Sequence, residues 1–417
     1  MSLKSKVAII GVGYVGLALT SSFLKAGISV IGLESSESRR EKIKQGSFDE
    51  SQAVRRLISD SLASNLFELS SDFNLMKDAD YVVLCLPTPT NERHEPDFSI
   101  LAEVCRQVVE FAQPNQTIIL TSTSFIGTTR KFLVEPLEAR GFRVGQDIFV
   151  SFSPERVDPG NVQHHHSEVD RILAGSTDSC FQKAHAFLKH AASKLHRATT
   201  LEAAEMTKLV ENSFRAINIA WINEMANLAA QKGLNISEVV DLAATKPYGY
   251  MKFTPGPGAG GHCIPADPHY LLLDSTLEST PITTLAMKEL HRRPLSIASQ
   301  AAELLNSSTN SEPRVLVWGV AYKPNVSDVR ESPALGIIEE LLRRGIETDF
   351  HDPHVEEVSI KSNLLVNKSQ PALGNYDLVI LHTIHETGVP EEVFNSVGMV
   401  LDTTFKFSNR FGVVSPS

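Results

Sequence analysis

The stretch KVAIIGVGYVGL, residues 6–17, decides the fold of this chain. A short apolar run leads into the pattern Gly-x-Gly-x-x-Gly at Gly11, Gly13 and Gly16, and a helical pattern then continues to Lys25. In such a pattern the first glycine permits a tight turn and the second lets the backbone approach a pyrophosphate. The third lets helix and strand pack closely. The stretch therefore predicts a strand, turn and helix that bind a dinucleotide at the helix N-terminus.

A second apolar run, residues 28–33, leads to Glu34. A carboxylate at the end of this strand accepts hydrogen bonds from the ribose hydroxyls of the cofactor and repels a 2′-phosphate, which predicts NAD rather than NADP. Arg39 and Arg40 weaken this preference, because a guanidinium there can reach a phosphate. The alternative is a glycine turn in an α/β protein that binds no dinucleotide.

The rest of the chain predicts an α/β fold with two Rossmann-like, doubly wound parallel sheets joined by a central helical region. Apolar runs alternate with helical stretches up to about residue 197. A helical pattern unbroken by Gly or Pro then extends from Leu201 to about Lys232, and another covers 282–305. After a polar linker, 306–313, the strand, turn, helix and strand pattern returns. We predict three parts: an NAD-binding α/β domain at 1–197, a helical region at 198–305, and a second α/β domain at 306–417.

Composition excludes several classes of protein. The 417 residues carry a net charge of −10, which disfavours non-specific nucleic-acid binding. No apolar run is long enough to cross a bilayer, and the glycines after residue 10 argue against a signal peptide. The four cysteines are scattered without metal-binding or disulfide spacing, so we predict no metal site and a reducing, cytoplasmic location.

The glycine-rich stretch Pro255–Gly261 contains six Gly and Pro residues, and the loop that it predicts, from Thr254 to Pro268, contains Cys263. A loop backbone can donate N–H groups to a developing oxyanion, and a thiolate beside it can attack an aldehyde. Most single cysteines are packing residues, and that interpretation suits Cys85, Cys105 and Cys180.

Three other groups of polar residues have competing interpretations. Lys208 and Asn212 are one helical turn apart and share a face, which either lines a pocket or is solvated. Glu155 follows a strand, where open α/β sheets place active sites, although a surface glutamate is an equal alternative. His164, His165 and His166 favour a solvated loop over a metal site.

Taken together, stretches along nearly the whole chain resemble the UDP-glucose/GDP-mannose dehydrogenase family. The joint match is more specific than any single motif. In chain order the stretches are VAIIGVGYVGL, LCLPTPT with Pro96-Asp97, STSFIGTT, FSPERVDPG, Glu205-Met206-Thr207-Lys208 through Asn212, GPGAGGHCIPADP and WGVAYKPNVSDVRESP.

The resemblance implies oxidation of the C6 hydroxyl of a nucleotide-sugar to a carboxylate in two NAD-dependent steps. Cys263 would capture the aldehyde as a thiohemiacetal, and a second hydride transfer would give a thioester that water hydrolyses. Lys208 would stabilise the oxyanions with Asn212 beside it. The other implied roles are positioning water or accepting protons at Asp267, and water binding or hydrolysis at Glu155 and Thr123.

The resemblance also implies binding sets and an assembly. The cofactor set is Gly11, Gly13, Tyr14, Val15, Gly16, Glu34, Pro87, Thr88, Thr123 and Arg330. The substrate set is Glu155, Arg156, Lys208, Asn212, Tyr250, Gly260, His262 and Lys323. The long helix suits a dimer interface, and the family implies a homodimer or a higher homo-oligomer. The resemblance also makes 198–305 the dimerisation region with the catalytic cysteine loop and 306–417 the UDP-sugar-binding domain.

The residues around the cysteine indicate the branch of the family. UDP-glucose members typically carry GGSCFPKD, whereas residues 260–267 read GGHCIPAD, which is similar to the branch that acts on UDP-N-acetylglucosamine or UDP-N-acetylmannosamine. Ala266 in place of lysine also leaves more room. The alternatives are a UDP-glucose 6-dehydrogenase, a two-electron enzyme that stops at the aldehyde, and a non-catalytic nucleotide-sugar sensor.

Two segments depart from the family pattern. An Asn-x-x-Met-Pro-like stretch is replaced by residues 289–294, and an Asp-x-Arg-Asn stretch by residues 402–405. Loss of that arginine leaves open how substrate or a partner subunit is held there. Arg292 and Arg293 are candidates for contacting a diphosphate instead.

Overall fold

The computed structural model describes residues 5–48, 50–91, 94–156, 169–261, 263–273, 278–306, 310, 312–407, 410 and 412–416. The chain forms two compact units, Met1–Val210 and Glu211–Ser417. The division falls inside the long helix, so it does not coincide with either predicted boundary, and the three-part organisation stays a prediction.

The first unit is built on an eight-stranded sheet with the order β3-β2-β1-β4-β5-β6-β7-β8. The order reverses between β1 and β4, which is the position where doubly wound sheets open a crevice for ligands. Neighbouring strands are parallel except β6 and β7, which are antiparallel. The strands are β1 Lys6–Ile10, β2 Ser29–Leu33, β3 Phe67–Ser70, β4 Tyr81–Leu84, β5 Thr117–Leu120, β6 Phe149–Phe152, β7 Arg171–Gly175 and β8 Leu195–Arg197.

Helices cover both faces of this sheet, and each face has its own buried apolar cluster. Strands covered on both sides need no polar face, which explains why β5 reads TIIL and is fully buried. The helices are α1 Tyr14–Lys25, α2 Glu37–Lys44, α3 Gln52–Ala63, α4 Ser99–Phe111, α5 Glu135–Ala139, α6 Asp178–Leu188 and the long α7, Leu201–Gln231.

The second unit contains a five-stranded parallel sheet with the order β10-β9-β13-β14-β15 and a separate antiparallel hairpin, β11-β12. The strands are β9 Arg314–Trp318, β10 Glu347–His351, β11 Glu357–Ile360, β12 Asn363–Val366, β13 Leu378–Leu381, β14 Met399–Asp402 and β15 Val413–Val414. The helices are α8 Ile236–Ala243, α9 Cys263–Leu272, α10 Pro281–Leu305, α11 Pro333–Arg343 and α12 Glu391–Ser396.

The predicted α/β fold with two Rossmann-like sheets is confirmed, with two local corrections. The sheet of the first unit is not wholly parallel, because β7 runs against β6. The loop predicted from Thr254 to Pro268 is wrong at its end, because α9 begins at Cys263. Pro265 is tolerated in the first turn, where its missing N–H has no partner within the helix. No described helix is long and apolar enough to span a membrane.

Candidate active site

The glycine turn after β1 has the geometry that its sequence predicts. Gly11 has φ +87°, and a Cβ there would lie 2.5 Å from the carbonyl oxygen of Cys85. A Cβ at Gly16 would lie 2.0 Å from the carbonyl oxygen of Gly11, so helix and turn are in close contact. A Cβ at Gly13, by contrast, would meet no atom within 4 Å. The backbone is therefore open where α1 begins, and the N–H groups of its first turn suit a phosphate.

Glu34 is bound to the same turn and fits the ribose of a dinucleotide. Its Oε2 accepts the Val12 N–H at 3.0 Å and its Oε1 accepts the Ser36 N–H at 3.0 Å, while the side chain stays half-buried. Arg40 donates to the carbonyl oxygen of Glu34 at 2.6 Å, and Arg39 donates to that of Val12 at 3.2 Å. Both guanidiniums are bound to backbone carbonyl oxygens and are therefore not directed at a 2′-phosphate, which supports the preference for NAD.

The loops that follow β4 and β5 lie at the same sheet edge as the glycine turn, because β1, β4 and β5 are consecutive parallel strands of the sheet. The Leu86 N–H donates to Ser122 Oγ at 2.8 Å and ties the two loops together. Of the predicted cofactor residues here, Thr88 is buried, Thr123 is half-buried and Pro87 is exposed. The structure thus brings these three residues to the edge that carries the glycine turn, whereas Arg330 belongs to the other unit.

Glu205 holds the loop after β5 against α7, and the sequence reasoning assigned it no role. Its carboxylate accepts the N–H of Gly127 at 2.6 Å, the N–H of Thr129 at 2.8 Å and the hydroxyl of Thr129 at 2.7 Å. Burial raises the pKa of Glu205, and these hydrogen bonds oppose the rise. The one available signal was its position three residues before Lys208.

Glu155 and Lys208 form a buried group with Arg171. Arg171 Nη1 donates to Glu155 Oε2 at 2.5 Å, and Lys208 Nζ donates to the Glu155 carbonyl oxygen at 2.9 Å. All three side chains are buried, so the interpretations of a solvated helix face and a surface glutamate are wrong. Arg171 was missed, because it lies sixteen positions after Glu155 and no helix or strand period links residues so far apart. Arg156, half-buried, donates to the carbonyl oxygen of Asp170 at 2.9 Å.

In the second unit, Asn212 and Asp267 meet. Asn212 Nδ2 donates to Asp267 Oδ2 at 2.5 Å, and Asp267 is fully buried. Cys263 is the first residue of α9, half-buried, and lies one helical turn before Asp267. Residues one turn apart share a helix face, so Cys263 and Asp267 lie on the same side of α9.

The glycine-rich loop is packed tightly against the segment after β9. A Cβ at Gly260 would lie 2.7 Å from Tyr322 Cβ, and one at Gly261, where φ is +78°, would lie 2.8 Å from the Tyr322 ring. The Gly261 N–H donates to the carbonyl oxygen of Arg330 at 2.9 Å. Gly260 therefore has a packing reason to lack a side chain, independent of any ligand.

Three further residues of the predicted binding sets, Lys323, Tyr250 and Arg330, are also described by the structure. Lys323 is half-buried with its Nζ 5.5 Å from the centre of the Tyr322 ring, and Tyr250 is half-buried. The Arg330 guanidinium pairs with Asp328 at 2.6 Å. His262 and the run His164–His166 lie outside the described residues.

The other three cysteines are packing residues, as predicted. Cys85, Cys105 and Cys180 are buried, and burial raises the pKa of both Cys85 and Cys105 to about 12. Cys180 Sγ accepts the Val150 N–H at 3.3 Å.

The dinucleotide turn of the first unit, which suits NAD, indicates an NAD-dependent dehydrogenase. The second unit carries a half-buried cysteine one helical turn before a buried acid. The chain belongs to the UDP-glucose/GDP-mannose dehydrogenase family. Residues 5–195 match its NAD binding domain, residues 202–289 its central domain and residues 316–393 its UDP binding domain.

Individual relatives agree with this assignment. A UDP-N-acetyl-D-mannosamine dehydrogenase from Pyrococcus horikoshii is 34% identical over 84% of each chain. A UDP-N-acetyl-D-glucosamine 6-dehydrogenase from Pseudomonas aeruginosa is 31% identical over 91% of this chain and 90% of its own. A solved structure of the UDP-D-ManNAc dehydrogenase from P. horikoshii superposes with a TM-score of 0.89 at 29% identity, covering 98% of both chains.

Proposed function

We propose that this protein oxidises the C6 hydroxyl of a UDP-N-acetylhexosamine, UDP-N-acetylmannosamine or UDP-N-acetylglucosamine, to the uronic acid. The observation that carries the proposal is Cys263 at the head of α9, one turn before the buried Asp267 that Asn212 holds. A two-electron oxidation would need no such thiol, because an alcohol becomes an aldehyde by loss of one hydride and one proton.

NAD, when bound, accepts a hydride in each of the two oxidation steps. After the first, the Cys263 thiolate adds to the C6 aldehyde and forms a thiohemiacetal. Loss of a hydride from C6 and of the hydroxyl proton leaves a thioester. Water then attacks the acyl carbon, the C–S bond breaks, and the carboxylate and the thiolate are released.

Lys208 would stabilise the negative oxygen that develops at C6. One of the three N–H donors of its ammonium group is bound to the Glu155 carbonyl oxygen, which fixes its direction. Asn212 lies one turn further along α7 and would bind the same substrate oxygen or a water. Fixed donors aimed at a developing oxyanion are worth about 3 kcal/mol each in acyl-transfer enzymes.

Asp267, Glu155 and Thr123 would serve the hydrolysis. Asp267 has one oxygen bound to Asn212, so its carboxylate is held in place to orient water or take a proton. The Glu155 carboxylate is paired with Arg171, so it is held in place to bind water. Thr123 is half-buried at the sheet edge that carries the dinucleotide turn.

The choice of substrate rests on the cysteine segment and on the relatives. Residues 262–265 read His-Cys-Ile-Pro, and Ala266, which is buried in α9, stands where UDP-glucose members carry lysine. The relatives named above act on N-acetylated UDP-sugars by their names. The main alternative substrate is UDP-glucose.

The assembly we propose is a homodimer or a higher oligomer formed through α7. One stripe of this helix exposes large apolar side chains, each between 45% and 48% exposed: Met206, Val210, Phe214, Trp221 and Leu228. A repeated apolar stripe is the surface that two-fold helix pairing buries. All four cysteines are free thiols, and we place the reaction in the reducing cytoplasm.

The test is the number of NADH molecules formed per sugar consumed, with limiting UDP-N-acetylmannosamine, UDP-N-acetylglucosamine, UDP-N-acetylgalactosamine and UDP-glucose in parallel. Two NADH with an N-acetylated sugar is the expected result. Two with UDP-glucose alone would keep the mechanism and overturn the substrate. One NADH would limit the enzyme to the aldehyde, and none would favour a sensor.

A Cys263→Ser variant tests the covalent route. We expect carboxylate formation to fall at least about a thousandfold, because a serine hydroxyl is a far weaker nucleophile than a thiolate. Cys105→Ala is the matched control, since that cysteine is buried in α4 and should leave the rate per folded molecule unchanged. Carboxylate made at the full rate by the serine variant would exclude the thioester.

A further inference from the structure

A cavity of about 260 Å³ lies within the second unit, between α7 and α10, next to the glycine-rich loop. Asn223 from α7 and Arg293 from α10 are among the residues that line it. Both side chains are more than nine-tenths buried, with exposed fractions of 5% and 6%. A buried guanidinium and a buried amide are costly to desolvate unless each donor finds an acceptor, so their partners decide what the cavity can hold.

Each of the two side chains uses part of its bonding capacity on Gly256. Asn223 Oδ1 accepts the Gly256 N–H at 2.9 Å, and Arg293 Nε donates to the Gly256 carbonyl oxygen at 3.4 Å. Arg293 Nη1 donates to Asn227 Oδ1 at 2.7 Å. Because Asn223 must present its oxygen to Gly256, its Nδ2 is fixed in the opposite direction.

Among the described residues, Arg293 Nη2 and Asn223 Nδ2 have no hydrogen-bond acceptor. Both atoms are donors, so they call for an oxygen-rich ligand and exclude a cation. The cavity is far larger than the roughly 30 Å³ that a single water occupies. Burial lowers the pKa of Arg293 to about 10, which still leaves it a cation at neutral pH.

The other charges at the cavity do not cancel that cation. Glu289 is paired with Arg292 at 3.0 Å. Glu224 also lines the cavity but is exposed, so water and salt screen its charge. The buried positive charge of Arg293 therefore dominates the interior of the cavity.

We propose that this cavity binds a phosphate-type oxyanion, free or as a phosphate monoester, and that its binding stabilises the Gly256 end of the loop that precedes Cys263. The anion would accept from Arg293 Nη2 and Asn223 Nδ2. The same two side chains hold Gly256 from both sides, so fixing them fixes the loop. The site would then act as an accessory effector site for the reactive segment.

The experiment measures binding of inorganic phosphate, and separately of glucose 6-phosphate, at constant ionic strength. Saturating NADH and UDP are present throughout, so that the phosphates of the main sites are already occupied. Calorimetry gives the affinity, and hydrogen exchange of residues 254–261 gives the effect on the loop. We expect phosphate binding together with slower exchange.

Asn223→Asp is the decisive variant, because it keeps the oxygen that holds the Gly256 N–H but replaces the free donor by a negative charge. Phosphate affinity should fall at least about tenfold, and the protection of the loop should disappear. Arg293→Lys, which keeps the charge, should lose less affinity than Arg293→Met. Lys288→Gln is the control, because it removes an exposed positive charge of α10 that does not line the cavity, and it should bind as the unaltered protein does.

Binding of either ligand that is lost in Asn223→Asp supports the proposal, and the ligand that binds identifies the source of the phosphate. The proposal is overturned if neither ligand binds, or if both bind Asn223→Asp as they bind the unaltered protein. If Arg293→Met does not fold, the comparison of Asn223→Asp with Lys288→Gln still decides.

Discussion

The turns at Gly11 and Gly319, one in each Rossmann-like sheet, have the same backbone conformation and hydrogen bonds, but the acids beside them differ in exposure. Gly11 and Gly319 both have positive φ, +87° and +81°, and both donate their N–H to the last residue of the neighbouring strand. An acid one residue beyond that strand, Glu34 or Asp352, then accepts an N–H from the turn and another from two residues after itself.

The carboxylates differ in exposure. Glu34 is half-buried, whereas Asp352 is fully buried and also accepts from His385 Nε2 at 3.1 Å. The helices differ too: α1 begins three residues after Gly11, but α11 begins fourteen residues after Gly319. The intervening segment bonds back to His385 through the Asn325 N–H. The same acid is thus positioned for a ligand in one unit and used for internal structure in the other.

The largest expected effect is at the turn glycines. Gly319→Ala would place a Cβ 2.1 Å from the Thr383 carbonyl oxygen, and Gly11→Ala one 2.5 Å from that of Cys85. Each change combines a left-handed backbone with a clash against backbone, and should destabilise its own unit by about 3 kcal/mol. Hydrogen exchange in β9 and β1 measures this unit by unit.

Gly13→Ala is the control for both changes, because its Cβ meets nothing within 4 Å. It should leave exchange in β1 unchanged while weakening NAD binding. Unchanged exchange in β9 of Gly319→Ala would show that the two turns are not equivalent.

The next effect is on acid stability through Asp352. Burial raises the pKa of Asp352, but hydrogen bonds from His385 and from several backbone N–H groups outweigh it and hold the pKa at about 2, below the ordinary 3.8. A lowered pKa stabilises the fold above the unfolded value, and that stability is lost as the pH falls from about 4 toward 2. The loss should be about 2 kcal/mol. Urea unfolding of the second unit across this range, compared with Asp352→Asn, should show a smaller pH dependence in the variant; equal slopes would contradict the assignment.

Glu34→Gln should act on the ligand instead of the fold. The variant removes the negative charge of the carboxylate that would accept hydrogen bonds from the ribose hydroxyls, which is expected to weaken NAD binding about tenfold. The hydrogen bond from the Val12 N–H can persist through the amide oxygen. Fluorescence titration with NADH measures this. Asp352→Asn is the matched control and should bind NADH normally. A loss of NADH affinity in both variants would remove the distinction between the two acids.

The smallest effect is expected at Arg40, which has no counterpart in the second turn. Arg40→Gln removes donors to the carbonyl oxygens of Glu34 and Ser35, and should cost about 1 kcal/mol in the first unit. NADP affinity should not fall, because the Arg40 guanidinium is already bound to backbone carbonyl oxygens and is not available to a 2′-phosphate. A marked loss of NADP binding would instead show that Arg40 reaches the 2′-phosphate.

Much of this could be predicted from the sequence where local chemistry dictates structure. Three glycines at fixed spacing after an apolar run define the turn of residues 11–16, and Glu34 follows from the same unit. The direction of β7 could not be predicted, because an apolar run has no polarity that distinguishes parallel from antiparallel pairing. The helix that begins at Cys263 could not be predicted, because it contains Pro265 and Pro268 and prolines usually indicate a loop.

The partners of the site residues were hardest to predict. The ion pair between Arg171 and Glu155 and the bond from Asn212 to Asp267 join positions that only the tertiary structure brings together. Conversely, the neighbouring residues were enough to separate Cys263 from the other cysteines, because it alone follows a glycine-rich stretch.

Because three of the four cysteines are buried, native and unfolded chains should differ in the number of thiols that an alkylating reagent labels. Cys263 is half-buried in the native protein, whereas the other three cysteines are buried, and Cys85 and Cys105 are also held as neutral thiols. A mild alkylating reagent should therefore attach one label to each native chain and up to four to each unfolded chain. The ratio of the two values, read by mass spectrometry, would give the fraction of competent molecules in any preparation without a substrate.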